Sequence, residues 1–162
     1  MGAAAVKVTW PSNDALLPLG LDDHRHDPSS APTLIRLLNE TDAAAAWTVV
    51  DDARPLGWLA ARTTPLAGRP AGVVRAELRV PDPIGTIDES MITTTSGRAL
   101  RLVQRLAVEQ PEGPALVAVQ ASWSWVVRDE LLVLSSSSVH PALAERLIVR
   151  IDALAAKIVI DA

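Results

Sequence analysis

Three strand-like stretches, 98–108, 115–127 and 130–137, follow one another with only short links between them, and that spacing constrains the fold more than any other feature. The first link is Gln110-Pro111-Glu112-Gly113-Pro114 and the second is Arg128-Asp129. A parallel crossover needs about a dozen residues or more, so both links read as hairpins and the strands as an antiparallel meander. In the middle stretch Val117, Val119, Ala121, Trp123 and Trp125 alternate with Ala118, Gln120, Ser122 and Ser124. Period-two alternation puts the first set on a core face and the second on a partly wet one.

Such a sheet must bury its apolar face, and the chain supplies a cover. His140-Pro141 opens a stretch in which Leu143, Leu147, Ile151, Leu154 and Ile158 recur at steps of three and four, with charges elsewhere on the cylinder. The spacing predicts an amphipathic helix over 141–158, with proline tolerated in its first turn. Upstream, Ser30 and Pro32 mark the start of a helix over 32–46 that carries Leu34, Ile35, Leu37, Leu38 and Ala45. Further strands are expected at 47–50, 56–63 and 72–80, and a first short one where Val6, Val8 and Trp10 alternate with Lys7 and Thr9. The stretch 12–30 reads as an irregular loop, and Ala67-Gly68-Arg69-Pro70-Ala71 and Ser96-Gly97-Arg98-Ala99 as hairpin turns.

The expectation is therefore a single α+β domain over 1–162. Residues 1–30 give a strand plus loop, 32–46 a helix, 47–138 one antiparallel sheet of about five to seven strands, and 141–158 a C-terminal helix packed on it.

Composition narrows the function classes. The net charge is −4, which argues against nucleic acid as a partner, because phosphate binding draws on clustered Lys and Arg. Cys is absent, which removes disulfides and thiolate chemistry. The longest uncharged stretch, 113–127, is short and interrupted by Gln120, Ser122 and Ser124, so no transmembrane segment is expected. Nothing at the start reads as a leader, which points to a cytoplasmic protein unless Met1-Gly2-Ala3 replaces one that was removed.

Four groups of residues carry chemistry worth weighing. Asp22, Asp23, His24, His26 and Asp27 form an Asp/His segment in which His-x-His points both imidazoles to one side, the donor types of a divalent metal site. A solvated charged loop accounts for the same residues. Ser135 to Ser138 beside His140 hold the ingredients of a nucleophile and base, but no Gly-x-Ser-x-Gly elbow is present. A strand end that hands over to the helix, with hydroxyls accepting its free N–H groups and His140 as N-cap, explains them. Adjacent acids at Asp51-Asp52 and Asp88-Glu89 read as solvated turns. Finally, Phe and Tyr are absent and five Trp make up the aromatic inventory. Trp58, Trp123 and Trp125 lie in predicted strands and are the candidate surface for a partner or ligand, although Trp must also fill core volume here. Phosphate-cradling glycine loops are missing, and no cofactor is expected.

The order of the second half resembles a known group. A Gly-Arg hairpin turn at Ser96-Gly97-Arg98-Ala99, a strand, a Gly-Pro turn, the long strand ending in Trp123, a short turn, the strand Leu131-Leu132-Val133-Leu134-Ser135 and a helix from Pro141 look like the Mog1/PsbP-like group. Within it the likeness is nearest to the bacterial LpqN and DcrB-type proteins. The resemblance implies an antiparallel sheet with helices on its faces. It also implies a non-catalytic adaptor or chaperone-like factor, secretion-related in some members, that binds a protein partner or a second copy of itself as a homodimer. It carries over no catalytic residues. The same element order also fits the helix-grip (START-like) fold, which implies a carrier or cyclase-like enzyme for an apolar small molecule. Its cavity would lie where Leu147, Ile151 and Leu154 face Trp123 and Trp125.

Overall fold

Alternating apolar residues build strands along much of the chain, and the computed structural model describes residues 6–10, 15–21 and 33–161. The elements are β1 (Lys7–Thr9), β2 (Leu16–Pro18), α1 (Thr33–Glu40), β3 (Ala45–Asp51), β4 (Arg54–Pro65), α2 (Ala71–Ala76), β5 (Asp88–Thr94), β6 (Gly97–Val108), β7 (Leu116–Val127), β8 (Glu130–Ser138), α3 (Pro141–Ala155) and β9 (Val159–Asp161). Seven strands form one sheet in the order β2-β3-β4-β8-β7-β6-β5, and β1 pairs with β9 in a separate two-stranded ribbon. Every neighbouring pair is antiparallel. The protein is thus α+β, with the hairpin-linked run β5 to β8 joined to the β3–β4 hairpin through the β4–β8 pair.

One sheet face is sealed by α3. Leu147 and Ile151 are 2% and 0% exposed and pack over a layer that includes Leu59, Trp123, Trp125, Leu132 and Leu134, and Leu154 of the same helix is 3% exposed. Gly57 makes the close approach feasible, because a Cβ there would sit 2.8 Å from Leu147 Cδ2. Both buried indoles find acceptors, Trp123 Nε1 donating to Asp152 Oδ1 at 2.7 Å and Trp125 Nε1 to Thr94 Oγ1 at 3.1 Å. Truncating Ile151 to Ala would cost about 2–5 kcal/mol through the cavity left behind.

Several expectations are corrected. The helix over 32–46 ends at Glu40, Asp42 takes a left-handed φ of 55°, and Ala45 and Ala46 pass into β3. Their helix propensity loses to strand pairing, since Ala46 sits opposite Ala60 and packs with Ile35 and Leu38, where only a small side chain fits under α1. The stretch 72–80 is not a strand. Pro70 introduces the short helix α2, whose buried residue Val74 packs against Leu131 and Val133. The segment Ala67 to Ala71 therefore leads from strand to helix, whereas Ser96-Gly97 does make the β5–β6 hairpin, with Gly97 at φ 104°. Asp88-Glu89 opens β5 instead of a turn, its polarity being what an edge strand tolerates. The strands β2 and β9 are too short to show a period of their own.

Candidate functional site

Among the described residues, the sheet face opposite α3 is covered only in part. α1 packs on its β3–β4 side through Ile35 and Leu38, and α2 packs lower down through Val74, with Leu78 just beyond it. Between them a cleft of about 370 Å³ stays open, lined by Leu34, Leu37, Leu38, Trp58, Ala60, Arg62, Leu78, Gln120, Ser122, Ser135 and Ser137 among others. Its floor is set by strand register. Ala60, Ser135 and Ser122 lie abreast on β4, β8 and β7, and Ser137 stands opposite Gln120. Period two then aims Ser122, Ser135 and Ser137 at the same face. Their hydroxyls make no hydrogen bond to the described residues, so three donors and acceptors point into a site whose walls are apolar.

A second pocket of about 70 Å³ adjoins it, sharing Leu78 and Ser122 and adding Arg75, Arg79, Glu89 and Ser124. Arg75 reaches down from α2 and donates through Nε to Ser124 Oγ and through Nη2 to Ser124 O, both at 3.0 Å. Burial lowers the pKa of this guanidinium from its ordinary value and the nearby Glu89 charge opposes that. Gln104 ties down the chain after α2: Val80 N–H donates to its Oε1 at 3.0 Å and its Nε2 donates to Leu78 O at 2.7 Å. That clamp fixes the lower wall of the cleft.

The tryptophans divide. Trp58 is half-buried and lines the cleft. Trp123 and Trp125 are 0% and 1% exposed beneath α3 and present no surface. The space expected between α3 and those two indoles is filled by side chains, so the cavity of a helix-grip carrier is closed on that face and the open volume lies on the other. Asp22, Asp23, His24, His26 and Asp27 lie outside the described residues, and among the described residues no group of three or more His, Asp or Glu could hold a metal ion.

The serines do not cap α3. His140 is its N-cap residue but makes no side-chain cap bond, Ser138 Oγ accepts the His140 N–H at 3.1 Å, and buried Ser136 donates to Trp58 O at 2.6 Å. Alternation along β8 turns Ser135 and Ser137 toward the cleft and Ser136 away, so none of these serines pairs with the His140 side chain. Asp51, expected in a solvated turn, instead ends β3 in ion pairs with Arg146, at 2.6 Å, and Arg150 of α3. The Arg146 hydrogen bond, with the Arg150 charge and bond adding to it, holds the Asp51 carboxyl below the usual carboxylate range.

Arg62, Arg75 and Gln104 were not singled out by sequence reasoning, and Ser135 and Ser137 were weighed only as a nucleophile beside His140, not as part of a hydroxyl row with Ser122. The signal was present in the alternation of Gln120, Ser122 and Ser124, which marked this face as wet, but not in anything that said two helices would wall it.

No protein-family model matches the chain, and no curated protein matches it. Among solved structures it is similar to the crystal structure of LpqN, a protein involved in cell envelope biogenesis of Mycobacterium tuberculosis, at a TM-score of 0.54 and 12% identity, covering 98% of this chain and 85% of that one. At that identity the likeness extends to the fold.

Proposed function

We propose that the protein is a non-catalytic binding protein that holds its partner molecule in the cleft between α1 and α2. The observation that carries this is the cleft itself: about 370 Å³, apolar in its walls, with three hydroxyls on its floor that make no hydrogen bond to the described residues. That volume falls within the range of roughly 300–1,000 Å³ usual for ligand sites, and convergent polar groups in an apolar concavity are what orient a ligand. Among the described residues no imidazole stands beside the cleft serines, which favours binding over nucleophilic catalysis. Of the three candidate tryptophans, Trp58 is the one that touches the ligand. No described helix is long and apolar enough to cross a membrane.

The test is capture of the tagged protein from its native lysate, reading bound proteins and extracted small molecules by mass spectrometry, with Ser135→Trp as the cleft-filling variant. Material retained by the wild type and lost by the variant supports the reading. Equal retention by a correctly folded variant overturns it.

A second reading, an adaptor or chaperone-like factor with a protein partner or a second copy, is favoured by β5. This strand is the end of the seven-stranded sheet, and its outer backbone edge has no partner among the described residues. A partner strand could add there by main-chain hydrogen bonding. Capture lost in Ser90→Pro but kept in Ser135→Trp would favour this reading.

A further inference from the structure

The charges around the cleft restrict its ligand more than its shape does. The chain carries a net charge of −4, yet its carboxylates do not neutralise this face. Glu77, at the cleft, is held by Arg69 at 2.6 Å, and Glu89, at the adjoining pocket, is held by Arg79. Arg62 and Arg75 also line these two spaces, and neither makes an ion pair with any described carboxylate. Sheet register relates them. Arg62, Val133 and Ser124 lie abreast on β4, β8 and β7, and Ser124 is the residue on which the Arg75 guanidinium rests. At about 4.8 Å per strand the backbones of Arg62 and Ser124 stand about 10 Å apart. In the next row of the same face, between the two cations and the Trp58 end, come Ser135 and Ser122.

A half-buried guanidinium with no direct ion pair is incompletely compensated; Arg62 has none, and Arg75 has only the nearby charge of Glu89, itself held by Arg79. The planar fork of such a group is matched by the paired oxygens of a carboxylate, sulfonate or phosphate. The apolar wall asks the rest of the ligand to be apolar. Resting on the cleft reading above, we infer that the site selects an organic anion, its apolar body against Trp58 and Leu38 and its oxyanion head between Arg62 and Arg75 over the hydroxyls of Ser122 and Ser135.

The probes are anilinonaphthalene sulfonate, an apolar anion, and phenylnaphthylamine, its neutral counterpart, titrated into the full chain by fluorescence. Arg62→Gln is the main variant because Arg62 makes no hydrogen bond to the described residues, and near-ultraviolet circular dichroism confirms that its tryptophans stay packed. The expected result is that the anionic probe binds about tenfold more weakly to Arg62→Gln and to Arg75→Gln, while the neutral probe is unaffected. Arg62→Lys retains part of the affinity, and about 0.5 M salt weakens only the anionic probe. If both probes bind, Ser135→Trp blocks both and neither arginine variant discriminates between them, the inference of an organic anion is overturned and the cleft reading stands. If neither probe binds, or both bind Ser135→Trp as well as they bind the wild type, the cleft reading falls and the inference with it.

Discussion

Removing the Asp152 carboxylate should loosen α3 from the sheet by an amount that can be worked out in advance. Its Oδ1 accepts the indole N–H of Trp123 at 2.7 Å, and its Oδ2 pairs with Arg101 Nη1 at 2.8 Å. In Asp152→Ala the fully buried indole loses its only acceptor among the described residues, which costs about 1–3 kcal/mol. Arg101 keeps Asp88 at 3.0 Å, and because Arg101 and Asp152 are 23% and 30% exposed, their pair contributes about 1 kcal/mol or less. The total is about 1–4 kcal/mol, a fall in Tm of roughly 5–10 °C at the midpoint of that range for a domain of this size. Urea denaturation, read by tryptophan fluorescence, measures it. Asp152→Asn retains an acceptor for the indole and should lose about half as much. A double-mutant cycle with Trp123→Phe should show a coupling of about 1 kcal/mol or more, since the second change removes the donor that the first left stranded. A cost for Asp152→Ala below about 0.5 kcal/mol, or strict additivity in the cycle, would refute the reasoning.

Three further outcomes are expected. Asp51 has a folded pKa depressed chiefly by its bond to Arg146, so its contribution to stability is complete above the ordinary carboxylate pKa and is lost as pH falls through the lower folded value. The Tm difference between wild type and Asp51→Asn should therefore be constant near neutrality and shrink below roughly pH 4, and a difference that grows in acid would contradict the assignment. Gln104→Leu leaves Leu78 O and Val80 N–H without their side-chain partner, and should speed amide hydrogen exchange across 71–80 while leaving β7 and β8 protected. Uniform protection across the variant would mean that Gln104 does not hold the lower wall. Zinc or manganese should leave the Tm of both the wild type and His24→Ala with His26→Ala unchanged; a metal-dependent rise confined to the wild type would establish the Asp/His segment as a metal site.

What could be read in the sequence was what local periodicity encodes. The two hairpins around β7 follow from link lengths too short for any crossover, and α3 follows from an apolar stripe with proline in its first turn. Where tertiary pairing decided, local signals misled. Ala45 and Ala46 look helical alone and are strand because β4 offers Ala60 and Ala61 as partners. The stretch 72–80 carries paired valines that suggest a strand, yet only Val74 is buried, and Pro70 with the exposed surroundings lets a helical turn form. The polar face of β7 was legible as wet, but a cleft is made by what does not cover it, and the positions of α1 and α2 over the β4–β8–β7 strip depend on contacts between residues far apart in the chain. Arg62 and Arg75 were invisible for the same reason, since an arginine acquires meaning only when the carboxylates near it are found to be engaged elsewhere.

The claim that the cleft is the binding site is tested most directly by the indole N–H resonances of the five tryptophans in a two-dimensional proton–nitrogen spectrum, followed while the anionic probe is added. The Trp58 resonance should shift in a saturable way together with the backbone amides of Ser122, Ser135 and Ser137, while the resonances of Trp123 and Trp125 beneath α3 stay in place. Shifts confined to β5, to the exposed face of α3, or to the buried tryptophans would contradict the account.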